Sequence, residues 1–157
     1  AYDKNDYRKV VYLMDRALHH SSHSNTLKTL KAECLALIGR YQEAQELANE
    51  VVLKDQMNSE AIYVRGMCLY YQDNNEKAFQ HFQRVLQYSP DHNKAKQFYK
   101  KAKLLQSKKE AGNQAFKQGK WQDAYELYTE ALGIDILNKS MNATLYYNRA
   151  TASSKVS

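Results

Sequence analysis

The sequence predicts an all-α protein: a right-handed superhelical solenoid of helix–turn–helix repeats with one long connecting helix. Two observations carry that prediction. Glycine is scarce, Pro90 is the single proline among 157 residues, and helix formers fill the stretches between turn signals. Chemically similar residues also return every 34 positions. Tyr7, Tyr41 and Asn75 keep this spacing, as do Val10, Ala44 and Ala78, then Met14, Ala48 and Phe82, then Ala17, Val51 and Val85. After Val85 the register jumps by 46, and Trp121, Ala124, Tyr128 and Ala131 resume the pattern.

A 34-residue helix–turn–helix period, with aromatic and small residues alternating along the second helix, is the tetratricopeptide signature. The small residues let paired helices approach closely, and the large ones fill the space between them. Gly39 and Gly119 share a slot two residues before the first aromatic, in the tight turn where positive φ favours glycine. Gly66 and Gly112 share a slot on the first helix. Glycine inside a helix costs about 1 kcal/mol against alanine, so these two need a packing reason: a side chain there would block the neighbouring helix. Cys34 and Cys68 are also 34 apart and read as small packing residues. They are too few and too widely spaced for a zinc site or a disulfide framework.

The period divides the chain. Asp6 to about His20 reads as a second helix without its first. Full repeats follow over Asn25–Asn58 and Ser59–His92, and a third runs from near Leu105 to Asn138. A four-residue insertion within DILNKSMN then precedes a last helix from about Ala143. Residues 1–106 are expected to form central repeats ending in a capping helix, and 107–157 the start of a second repeat block. The chain reads as a piece of a longer repeat protein, and its uncovered helix faces could pair two copies. Ser89 and Pro90 offer a hydroxyl cap and an N1 proline, predicting a helix from Asp91 that runs 28 residues, about 42 Å. Ala95, Phe98, Tyr99, Ala102 and Leu105 lie on one face of it and would cover the preceding repeats.

Composition narrows the function. No apolar run approaches the roughly 18 residues of a membrane span and no signal peptide opens the chain, which points to the cytoplasm or nucleus. No catalytic triad, paired carboxylates or phosphate-cradling loop is present, so neither an enzyme nor a cofactor is expected. His19 and His23 lie four apart but fall at a helix end and in a turn, with no further metal ligand nearby. Most of the 13 tyrosines, Tyr7, Tyr41 and Tyr128 among them, sit at core slots rather than as platforms for bases. Net charge is +6, and Asn93–Lys120 holds nine lysines against one acid, Glu110. That imbalance favours an acidic partner; a peptide tail is expected rather than nucleic acid.

One constellation stands out in KKEAGNQAFKQGKW. Lys109, Asn113 and Phe116 share a helix face that, in a superhelix of this kind, points into the concave groove. On the next first-type helix, LYYNRA puts Asn148 at an inward position. An ammonium and two amides converging there suit a carboxylate: the lysine supplies charge and each amide a directional donor.

The stretch KEAGNQAFKQGKWQDAYELYTEAL followed by LYYNRA resembles the peptide-clamp tetratricopeptide domains of chaperone adaptors. More broadly, YRKVVYLMDRAL, LKAECLALIGRYQEAQ and YVRGMCLYYQDNNEKAFQHF resemble the tetratricopeptide J-domain co-chaperones. The resemblance implies a clamp role for Lys109, Asn113 and Asn148 and an apolar contact from Phe116. The implied ligand is the C-terminal Glu-Glu-Val-Asp of the cytosolic 70-kDa and 90-kDa heat-shock chaperones, held by an adaptor that supports client transfer. In that family a further lysine and arginine come from one more repeat, at positions beyond Ser157. No His-Pro-Asp of a J domain occurs here; Ser89–His92 reads Ser-Pro-Asp-His. Ile136 stands where the repeat usually has proline. Leu30 stands where a clamp wants asparagine, so Tyr7–Asp91 reads as spacer and scaffold.

Overall fold

A computed structural model describes residues 4–20 and 24–156, and every regular element among them is α-helical. The helices are α1 (Lys4–His20), α2 (Asn25–Leu37), α3 (Tyr41–Lys54), α4 (Ser59–Tyr71), α5 (Asn75–Tyr88), α6 (Asn93–Lys117), α7 (Trp121–Leu132) and α8 (Lys139–Val156). Helix α2 packs on α1 and α3, and α7 packs on α8. The chain forms two compact units, Ala1–Tyr70 with Asn74–Ala95, and Tyr71–Asp73 with Lys96–Ser157.

Each hairpin turn is made by one residue in the left-handed region. Gly39 (φ +90°) and Gly119 (φ +76°) occupy it as their shared slot predicts, and Asp73 (φ +64°) takes the equivalent place between α4 and α5. The residue after each closes the turn on a carbonyl five positions back: Arg40 N–H on Leu35 O (2.9 Å), Asn74 on Leu69 (2.8 Å) and Lys120 on Ala115 (2.9 Å). This is the Schellman arrangement, which satisfies carbonyls the helix leaves open. Aspartate can serve at position 73 because its short polar side chain tolerates the left-handed region better than most.

The starts of the first-type helices are as regular as their ends. Ser24 Oγ accepts from Leu27 N–H at 3.2 Å, and Asn58 Oδ1 from Ala61 N–H at 3.0 Å. His92 Nδ1 accepts from Ala95 N–H at 3.1 Å, and Asn138 Oδ1 from Met141 N–H at 3.0 Å. These caps are spaced 34, 34 and 46, the same steps as the core. Two expectations are corrected by them. Helix α6 starts at Asn93, not Asp91, because His92 caps it while Ser89 closes α5 by donating its N–H to Val85 O at 2.7 Å. The His92 ring is held as well, its Nε2 2.7 Å from Glu60 Oε1. Helix α8 starts at Lys139, not Ala143. The four extra residues form an additional first turn, anchored by buried Met141 and by Asn142 Nδ2 donating to Asp135 O at 2.8 Å.

The 12 residues by which the 46-residue step exceeds the 34-residue period also have a simple location. Helices α2 and α4 have 13 residues each and α6 has 25, so all 12 extra residues lengthen one helix, which runs unbroken through Gly112. Ala95, Phe98, Ala102 and Leu105 are buried along it and Tyr99 is half-buried. Phe98 meets the Tyr71 ring edge-on, with centroids 5.8 Å apart.

The glycines on first-type helices are explained by what faces them. A Cβ on Gly66 would stand 2.8 Å from a ring carbon of Phe82, and one on Gly112 would stand 2.6 Å from a ring carbon of Tyr128. Phe82 and Tyr128 are equivalent positions on the second helices, 46 apart. In the preceding repeat the equivalent residues are Ala32 and Ala48, both fully buried, so a small second-helix residue permits alanine on the first. Neither cysteine is in a disulfide; Cys34 is half-buried and Cys68 buried. Burial pushes the Cys68 thiol up to about 12. Cys34 is also raised, by burial first and by neighbouring Glu33 second.

Two outcomes follow from this packing. Gly112→Ala destabilises by about 1–3 kcal/mol through overpacking, although alanine is the better helix former. In a Tyr128→Ala background the same change becomes neutral or stabilising; chemical denaturation giving equal costs in both backgrounds would contradict the contact. In the native protein, iodoacetamide modifies Cys34 before Cys68, and mass spectrometry finds Cys68 labelled at comparable rate only after unfolding.

Candidate functional site

The contact that requires Gly112 also builds the site. With no side chain at 112, the Tyr128 ring of α7 lies against α6 and its hydroxyl donates to Asn113 Oδ1 at 2.6 Å. Burial raises the Tyr128 pKa, so the phenol keeps the proton it donates. With the Asn113 oxygen engaged, its NH₂ edge is turned away from Tyr128 and presents two donors. One turn further along α6, Phe116 packs edge-on against Trp121 with centroids 4.9 Å apart. Across from them on α8, Asn148 lines a cavity of about 170 Å³ together with Phe116, Tyr128, Tyr147 and Thr151.

The structure thus brings Phe116 and Asn148 onto one cavity and ties Asn113 to it through Tyr128. Lys109 is not among the cavity residues. It lies one turn before Asn113 on α6, half-buried, and among the described residues its side chain makes no hydrogen bond or ion pair. Its neighbour is different: Lys108 Nζ is 2.8 Å from Glu130 Oε2. Lys101 Nζ likewise lies 3.9 Å from buried Asp135. The charge of Lys109 is therefore the one left uncompensated next to Asn113. Lys155 Nζ, over the Trp121 ring at 5.9 Å, adds a second cation on the Phe116 side.

Sequence reasoning missed three contributors. Tyr128 reads as core, and it is buried, yet its hydroxyl orients Asn113. Tyr147 and Thr151 flank Asn148 on α8, and Thr151 Oγ1 donates to Tyr147 O at 3.0 Å. A signal for Tyr128 was available. The positions 46 residues upstream of Lys109, Asn113 and Tyr128 are Tyr63, Met67 and Phe82, all buried and none bearing an amide or an ammonium. Ammonium, amide and the hydroxyl that orients it therefore enter together in one repeat.

Other sites are not supported. His19 meets His20 edge-on at 5.6 Å, His23 lies outside the described residues, and no group of three metal-binding side chains occurs among the described residues. No helix among them is long and apolar enough to cross a membrane.

Comparison with known proteins agrees with this architecture. The family model described as anaphase-promoting complex, cyclosome, subunit 3 matches residues 3–85. The chain is 54% identical over 155 residues to DnaJ homolog subfamily C member 7 of Homo sapiens, covering 99% of this chain and 31% of that protein. It is 40% identical over 139 residues to the DnaJ homolog subfamily C member 7 homolog of Dictyostelium discoideum, covering 88% of this chain and 26% of that protein. The chain thus spans about a third of the length of these relatives or less. The crystal structure of the P58(IPK) TPR domain shares the fold, with a TM-score of 0.68 over 96% of this chain and 42% of that chain at 20% identity. Its 34-residue period, left-handed hairpin turns and glycine–aromatic contacts, together with these matches, show that the chain belongs to the tetratricopeptide-repeat family recognised by the anaphase-promoting complex subunit 3 model.

Proposed function

We propose that this segment is a non-enzymatic co-chaperone module that grips the C-terminal carboxylate of an acidic tail. The tail is of the Glu-Glu-Val-Asp type, borne by the cytosolic 70-kDa and 90-kDa heat-shock chaperones, and the module supports client transfer between them in the cytoplasm or nucleus. The observation that carries the reading is the Tyr128–Asn113 hydrogen bond. It engages the amide oxygen and leaves the NH₂ donors for a ligand, and donors are what a carboxylate needs. Lys109 pairs with the ligand carboxylates, Asn113 and Asn148 donate hydrogen bonds, and Phe116 gives apolar contact to the valine.

Size and energy are consistent with a terminal residue as the occupant. A cavity of about 170 Å³ suits one side chain and its carboxylate, not a folded partner. Charge-assisted hydrogen bonds contribute about 1.5–3 kcal/mol each. Three of them approach the roughly 8 kcal/mol of a micromolar complex, and a further repeat can add to that. The rival reading makes the repeats a spacer or scaffold without tail binding, in which case these side chains are solvated surface.

Two variants separate these readings, in the segment extended through its next repeat. Lys109→Ala lowers affinity for a Glu-Glu-Val-Asp peptide by at least about tenfold, the loss of one charged partner, with helicity unchanged. Unchanged affinity by calorimetry would remove Lys109 from the site. Tyr128→Phe keeps the ring over Gly112 and costs about 1 kcal/mol of stability. It weakens the peptide several-fold because the Asn113 amide is free to flip; a stability loss with full affinity would leave Tyr128 a core residue only.

A further inference from the structure

The lengthened part of α6 carries a second feature that the tail site does not use. At about 100° per residue, Lys96, Lys100 and Lys103 fall on one face of the helix, rotated away from that of Lys109 and Asn113, and rise over about 10 Å. All three are exposed. Among the described residues Lys96 and Lys100 have no acidic partner, whereas Lys101, on another face, has Asp135. Lys103 lies over the half-buried Tyr99 ring at 5.6 Å. Leu104 stands beside the ladder, four residues after Lys100, and is 50% exposed.

A solvated helix face ordinarily mixes charge signs, as α3 does with Glu43, Glu46 and Lys54. Here the first acid in α6 is Glu110, and that residue is engaged by Gln106 Nε2 at 2.8 Å. Lysines spaced i, i+4 and i+3 repel one another and destabilise the helix that carries them. Nothing in the described chain relieves that repulsion at Lys96 and Lys100. An acidic counterpart would.

We propose that the Lys96–Lys100–Lys103 face of α6 docks an acidic protein segment, one in which carboxylates flank an apolar side chain that settles on Leu104. Protein suits this face better than nucleic acid. Leu104 offers an apolar contact, and no aromatic ring is exposed along the ladder for a base to stack on. The interaction differs from tail binding in that it requires no free C-terminus.

The test uses this chain and a fluorescent Glu-Glu-Leu-Asp-Glu peptide blocked at both ends, so that the tail site has no carboxyl terminus to hold. Fluorescence anisotropy should show binding that weakens with added salt. In Lys96→Glu/Lys100→Glu/Lys103→Glu it falls by about tenfold or more, as for charges that face a complementary partner. Leu104→Ser weakens it several-fold, while Lys109→Ala binds as the unaltered chain does. Circular dichroism checks that each variant keeps its helicity. The inference is overturned if the peptide does not bind, if the triple variant binds it equally well, if Lys109→Ala abolishes binding, or if an oligouridylate binds more tightly than the peptide.

Discussion

The organisation of this chain depends on a side chain that is absent. Where a second helix carries a large ring, the first helix must carry glycine, because a single added carbon would stand within 3 Å of the ring at both Gly66 and Gly112. Glycine weakens a helix, but here it lets two helices close over an aromatic that fills the space between them. The repeat with Ala48 in place of the ring has Ala32 in place of the glycine, so the two slots behave as one unit. At Gly112 the same contact acquires a polar consequence. The ring is a tyrosine, and its hydroxyl reaches the next residue of the helix it leans on.

A repeat scaffold can thus change its chemistry without changing its geometry. Tyr63, Met67 and Phe82 make an apolar version of the hairpin, all three buried. Lys109, Asn113 and Tyr128 occupy the same slots and leave an ammonium without a partner among the described residues, beside an oriented amide. Helix α6 adds length to this. Its 25 residues follow a capping histidine where the other first-type helices have serine or asparagine, and a glycine turn like that after α2 follows them.

Most of the fold was legible because it is periodic. The core slots, both hairpin glycines and the small-residue slots follow from spacing alone, since each repeat imposes the same contacts. The misplaced features are those where one residue type offers two roles. Ser89 and Pro90 look like a helix start, yet Ser89 ends α5 and the cap falls to His92, a residue seldom read as one. The four-residue insertion within DILNKSMN reads as lying before the last helix, and the buried cap of Asn138 instead starts α8 at Lys139. Asp73 gave no sign of positive φ because aspartate is also an ordinary turn residue. Of the four residues expected at the candidate site, Phe116 and Asn148 line one cavity, and Asn113 is joined to it through Tyr128. Tyr128 reads as core because it is buried; the exchange of Tyr63, Met67 and Phe82 for Lys109, Asn113 and Tyr128 marks its repeat as different, and the packing then reveals the hydroxyl's partner.

The most direct test of the tail-binding reading is a calorimetric titration of the segment, extended by its following repeat, with two peptides. One ends in a free Glu-Glu-Val-Asp carboxylate, and its twin is amidated at the C-terminus. A carboxylate grip predicts micromolar binding of the free acid and loss of most of that affinity for the amide, because the amide removes the charge and an acceptor that Lys109, Asn113 and Asn148 address. Equal binding of the two peptides, or binding of neither, would contradict it.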